Sequence, residues 1–181
     1  MKITWLGHSC FKIGSQGYEI ILDPYEDRSV PGLRPVREQA DQVLCSHGHG
    51  DHCGTEGVAL RQGAAARISV EAISTWHDDR QGALRGPNTI HILDDGQCRV
   101  AHLGDLGCEL TPKQKEKLRG LTALLIPVGG PAVCSLFSSA LCVASHPILG
   151  TACFFRLLDR IRGSLVRFHS QHMGFAGFRV C

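Results

Sequence analysis

The sequence predicts an α+β fold in which β-sheets are covered by a small number of helices. Three observations carry that expectation. Short β-favouring runs bounded by Gly, Pro or Asp recur along the first two thirds of the chain. Few segments carry helix start and stop signals. Apolar residues make up 43% and charged residues 20%, a composition suited to a packed core. At 181 residues the chain fits one domain and leaves little room for two. A formal charge of +2 is too small to argue for a nucleic-acid partner.

Ile3–Leu6, Phe11–Ile13 and Tyr18–Leu22 read as an N-terminal meander, the last two strands joined through Gly14-Ser15-Gln16-Gly17. Asp23-Pro24 ends the third strand, because proline cannot continue a central ladder. Residues 24–40 read as loop. Asp41–Ser46 is a short buried strand, and Thr55–Gln62 a helix with Thr55 as its cap. Arg67–Ser74 gives one or two strands ending near His77. Thr89–Leu93 and Gln97–Leu103 flank Asp94-Asp95-Gly96, a hairpin signal. Thr111-Pro112-Lys113-Gln114 combines an N-cap, a first-turn proline and a capping-box Gln, for a helix running to Arg119 and stopping at Gly120. Leu121–Val128 closes this part as a buried strand.

The chemistry concentrates in Ser46-His47-Gly48-His49-Gly50-Asp51-His52. Four candidate metal ligands fall within six residues, spaced by two glycines. In an extended segment His47 and His49 point the same way, and a tight turn can bring Asp51 and His52 to a neighbouring point. Imidazole with carboxylate and no thiolate suits zinc, manganese or iron. The competing reading is a histidine-rich surface loop. Cys10, Cys45, Cys53, Cys98 and Cys108 lack paired spacing and read as buried small hydrophobes. Nine cysteines and a start without an apolar leader-like run fit a cytoplasmic chain with reduced thiols.

These motifs resemble the metallo-β-lactamase superfamily of two-metal hydrolases, whose His-x-His-x-Asp-His signature is matched by His47, His49, Asp51 and His52. Ile20-Ile21-Leu22-Asp23-Pro24 looks like the family's earlier strand ending in Asp. Leu6-Gly7-His8-Ser9-Cys10-Phe11, Trp76-His77-Asp78-Asp79 and His102-Leu103-Gly104-Asp105-Leu106-Gly107 are similar to the ascorbate-6-phosphate lactonase-like branch. The resemblance spans residues 1–130 and implies an αββα sandwich with its site at one edge of the two sheets. It implies two divalent ions, zinc first, with manganese or iron as alternatives. His47, His49 and His77 would hold one, Asp51 and His52 the other, and Asp105 would bridge them. His102 competes for the place of His77, which is preferred for its position 28 residues before Asp105.

The same resemblance implies that Asp51 orients the attacking water, that His8 lines the substrate pocket and that Asp23 braces the metal loop. His91 reads as a solvated strand residue. The implied reaction is hydrolysis of a lactone or phosphoester, with a small molecule as substrate and neither nucleic acid nor membrane as partner. The second reading is a catalytically impaired, metal-binding or oligomer-forming remnant of such a hydrolase.

Residues 131–181 form a different compositional regime. Residues 1–130 carry 14 Lys and Arg against 16 Asp and Glu, whereas the last 51 carry five Arg, one Asp and no Lys. Residues 120–155 hold no charge at all. The family's last metal histidine has no matching motif here; His146, His169 and His172 lack its strand-then-histidine setting. Three origins fit this segment: a shifted reading frame, a membrane segment interrupted by Pro127, Pro131 and Pro147, or a divergent tail that packs on the domain. The sandwich is therefore expected to be incomplete or altered at its C-terminus. Apolar sheet surface left bare would drive homo-oligomer formation. Size-exclusion elution ahead of the monomer position at micromolar concentration is the expected outcome; a sharp monomer peak would count against it.

Overall fold

The computed structural model describes residues 1–127, 153–157 and 176–179. Two five-stranded sheets dominate. The first contains β1 (Lys2–Gly7), β2 (Cys10–Ser15), β3 (Tyr18–Leu22), β5 (Gln42–Leu44) and β12 (Ala176–Arg179), in the order β12-β1-β2-β3-β5. The second contains β7 (Ser69–Trp76), β8 (Pro87–Asp94), β9 (Arg99–His102), β10 (Ala123–Pro127) and β11 (Cys153–Leu157), in the order β11-β10-β9-β8-β7. Neighbours are antiparallel except β3 with β5 and β9 with β10.

Alternation along the strands sorts side chains into three apolar layers. Phe11, Ile13, Ile20 and Leu22 of the first sheet meet Leu93, Val100, Ala123 and Leu125 of the second, forming the core between them. The opposite face of the second sheet, with Ile90, Ile92, Ala101 and Leu124, packs under Leu106, Leu110 and Leu118. The outer face of the first sheet, with Cys10 and Ile21, packs under Tyr25, Val36 and Val58. Helices were expected to do this covering. Among the described residues connecting segments contribute most of it, and α1 (Pro112–Lys117) buries none of its own residues.

The meander, the hairpin and the capping box at Thr111 and Gln114 match expectation. Two elements differ. Thr55–Gln62 is one 3-10 turn (Thr55–Gly57) followed by strand β6 (Val58–Leu60), and Thr55 makes no cap. β6 pairs in parallel with β4 (Glu38–Ala40), which lies inside the expected loop. That pairing satisfies the backbone and buries Val58 against the first sheet, outweighing a marginal helical preference. No helix among the described residues is long and apolar enough to cross a membrane. His146, His169 and His172 lie outside the described residues. The described strands of the C-terminal segment extend one edge of each sheet, β11 beside β10 and β12 beside β1.

The hairpin at Asp94-Asp95-Gly96 is tied to the β2–β3 turn, because Ser15 Oγ donates to Asp95 Oδ2 at 2.6 Å. Asp95 also accepts from the backbone N–H groups of Gln97 and Cys98. Burial opposes its charge, but these donors outweigh burial and hold the carboxyl near about 2. Stability from this group is complete above the unfolded value of about 4 and is lost as pH falls from there through about 2. Asp95→Asn is expected to cost about 1 kcal/mol at neutral pH and to flatten the stability profile between pH 4 and 2. Urea melts across that range check both.

Candidate metal centre

The centre is assembled at the ends of β3, β5, β7 and β9, and the segments at the ends of β3, β5 and β9 meet at one buried carboxylate. Asp23 follows β3 with a left-handed backbone (φ 45), a conformation Asp tolerates better than bulky residues do. Its side chain is fully buried. Oδ1 accepts from the Ser46 backbone N–H at 2.6 Å and Oδ2 from Ser46 Oγ at 2.6 Å. Oδ2 also accepts from His52 Nδ1 and His102 Nε2, both at 2.9 Å. Burial would raise this carboxyl, but His102 and His52 hold it below the ordinary carboxylate range.

These bonds determine which ring nitrogens remain available. Ser46 gives its hydroxyl proton to Asp23, so it accepts from His47 Nδ1 at 2.9 Å. His47 is then left with a lone pair on Nε2, a buried atom without a hydrogen-bond partner. Burial, and secondarily His52, depress the His47 imidazole to about 4, leaving it neutral. His52 likewise spends its Nδ1 proton on Asp23 and turns Nε2 inward. Burial opposes a charge on His52, yet Asp105 and Asp23 push it up to about 10. That nitrogen faces a pocket built to hold positive charge.

Three donor groups result, each with ligand atoms within 4.8 Å of one another: His47, His49 and His77; His47, His52 and Asp105; and His8, Asp51 and His52. Asp105 lies between the first and the last, its Oδ2 3.2 Å from His77 Nε2 and 3.5 Å from His52 Nε2. The residues therefore fit divalent metal: imidazole nitrogens turned toward one another, two carboxylates among them and no thiolate. His77 joins His47 and His49, with ring centroids 4.8 and 5.3 Å away. His102 faces Asp23 and is absent from these groups.

Several supports had no local sequence signal. Asn88 accepts from the Asp105 backbone N–H and donates to Thr75 Oγ1 and the Leu103 carbonyl. Asp78 accepts from four backbone N–H groups, those of Arg80, Gly82, Leu84 and Arg85, and so orders the loop after His77. Gly107 passes so close to His77 that a Cβ there would stand 2.2 Å from the His77 carbonyl oxygen. His91, expected in solvent, is buried, with Nε2 donating to the Cys45 carbonyl at 3.1 Å.

The cysteine expectation also needs correction. Cys45 and Cys53 form a disulfide that brackets the ligand loop, their Cα atoms 5.3 Å apart. Cys98 is disulfide-bonded as well, while Cys10 and Cys108 remain thiols. The turn that joins Cys45 to Cys53 is closed by the His52 N–H donating to the His49 carbonyl at 2.9 Å. Spacing alone does not reveal such a fold-back.

Known proteins resemble this chain in sequence and in fold. A family model described as the beta-lactamase superfamily domain matches residues 2–145, running past residue 130 where the motif resemblance ends. A UPF0173 metal-dependent hydrolase of Carboxydothermus hydrogenoformans is 28% identical over 165 residues, covering 72% of this chain and 73% of that protein. A UPF0173 protein of Pyrococcus abyssi is 30% identical over 166 residues, covering 75% and 73%. Among solved structures, a Thermotoga maritima protein assigned to the Zn-dependent hydrolases of the metallo-β-lactamase superfamily superposes with a TM-score of 0.54 at 32% identity. It covers 75% of this chain and 68% of its own. Igni18, a metallo hydrolase of Ignicoccus hospitalis, shares the fold with a TM-score of 0.50 at 18% identity, covering 73% and 72%.

Asp23→Asn tests the hub. The substitution turns an amide toward three donors and removes the charge that His52 and His102 face. A loss of about 3 kcal/mol in denaturant unfolding is expected; a loss below about 1 kcal/mol would show that the hub is dispensable.

Proposed function

This chain belongs to the metallo-β-lactamase superfamily of metal-dependent hydrolases, and from that premise we propose that it directs water onto a lactone or phosphoester of a small molecule. The observation that supports this reading is the placing of Asp105 between two histidine groups, one with His47 and His49, the other with His52 and Asp51. His47, His49 and His77 would hold one divalent ion, Asp51 and His52 a second, with Asp105 shared. Zinc is preferred for the imidazole-rich set, and manganese or iron suits the same donors. Metal there supplies a Lewis acid that polarises a carbonyl or phosphoryl oxygen and makes water nucleophilic near neutral pH.

The chain's own residues supply position. Asp51, with 40% of its side chain exposed, can accept a hydrogen bond from the attacking water and aim it. Asp23 and Ser46 hold His47 and His52 in the tautomers that present Nε2. Asn88 anchors the backbone of Asp105, from which the carboxylate reaches toward both His77 and His52. Such prior orientation is worth more to a hydrolase than any one contact, since misplacement costs rate steeply.

Purified protein assayed with zinc or manganese on a panel of aryl phosphodiesters and γ- and δ-lactones is expected to turn over at least one class. A chelator should abolish that activity and added metal restore it. His49→Ala should lower kcat/KM by about 100-fold. Metal-loaded protein no faster than His49→Ala on every substrate in the panel would overturn the reading.

A further inference from the structure

We propose that His8 is itself a metal ligand, completing with Asp51 and His52 the second cation site from the β1–β2 turn. This inference rests on the metal-hydrolase reading above and goes beyond it in assigning His8 to the metal rather than to the pocket wall.

The turn is built unlike a solvent-facing hairpin tip. His8 is 7% exposed and Ser9 1%, although connections normally run over the surface. Gly7 and His8 both take left-handed backbones, at φ 115 and φ 49. For a histidine this is a costly conformation, on the order of 1 kcal/mol. Trp5 Nε1 pins it by donating to the His8 carbonyl at 2.8 Å. The result is an imidazole carried inward toward the ligand loop.

The distances suit shared coordination. His8 Nε2 stands 3.3 Å from His52 Nε2 and 3.3 Å from Asp51 Oδ2. His52 Nε2 stands 3.8 Å from Asp51 Oδ2. Two donors on one tetrahedral zinc, each at about 2.0–2.1 Å, are separated by roughly 3.3 Å. Because His52 directs Nδ1 at Asp23, its Nε2 faces His8 Nε2 directly. A metal ion between the two rings would take the place of the proton they share at this distance, and the Asp51 carboxylate beside them favours a cation there.

Cobalt(II) titration of chelator-stripped protein, followed by visible absorption and elemental analysis, tests the assignment. Wild type should bind two ions per chain. His8→Asn tolerates the left-handed backbone and lacks the imidazole; it should keep one ion and bind the second at least tenfold more weakly, with a changed visible band. In His8→Gly, added imidazole should restore the second ion. In wild type carrying 15N-histidine and two 113Cd ions, His8 Nε2 should show a one-bond coupling to cadmium, a readout that does not depend on any variant folding. Wild-type affinity and spectrum in both variants, or two bound cadmium ions without that coupling, would overturn the assignment of His8. One ion in wild type would overturn it while leaving the hydrolase reading in place, and none would overturn both.

Discussion

Everything at the centre hangs on the carboxylate of Asp23. It carries a full charge in a fully buried place, where an uncompensated ion would cost several kcal/mol. Four donors compensate it, and each belongs to a segment that the site needs in place. The Ser46 N–H and hydroxyl seat the start of the ligand loop, His52 its end, and His102 the last residue of β9, just before the turn to Asp105. One group thereby couples three segments far apart in sequence. It also sets imidazole tautomers at a distance, through Ser46 for His47 and directly for His52.

The surrounding architecture serves that point. The two sheets bury their apolar faces against one another, so the ends of β3, β5, β7 and β9 arrive together with little freedom. Loops carrying ligands then need only short reaches, and each is tied down by its own polar anchor. Asp78 collects four N–H groups after His77, Asn88 holds the turn containing Asp105, and the Cys45–Cys53 disulfide closes the ligand loop. Rigid elements below and anchored loops above is the arrangement in which a constellation of ligands can be held before any metal arrives.

Much of this was legible in the sequence where the signal is local. Short β-favouring runs predicted the meander, Asp94-Asp95-Gly96 the hairpin, and Thr111 with Gln114 announced α1. The density of histidine between His47 and His52 announced the centre. What stayed hidden is what depends on distant partners. β4 and β6 are three residues each and exist because they pair with one another, so neither has a pattern of its own. His91 looked solvated because strand alternation does not say that both faces of β8 are buried. Cys45 and Cys53 meet only after the ligand loop folds back. Asp23 read as a brace, but its link to His102, 79 residues away, is a matter of tertiary geometry.

The pairing of β1 with β12 and of β10 with β11 has a kinetic consequence. Lys2 lies opposite Arg179, nearly the whole chain away, and non-local pairing of this kind slows folding. During synthesis the sheets present open edges until these late strands emerge. A growing chain in that state exposes unpaired backbone on both sheets at once. Yield of the native form should therefore be governed by how fast the ribosome delivers the final strands relative to encounters between nascent chains.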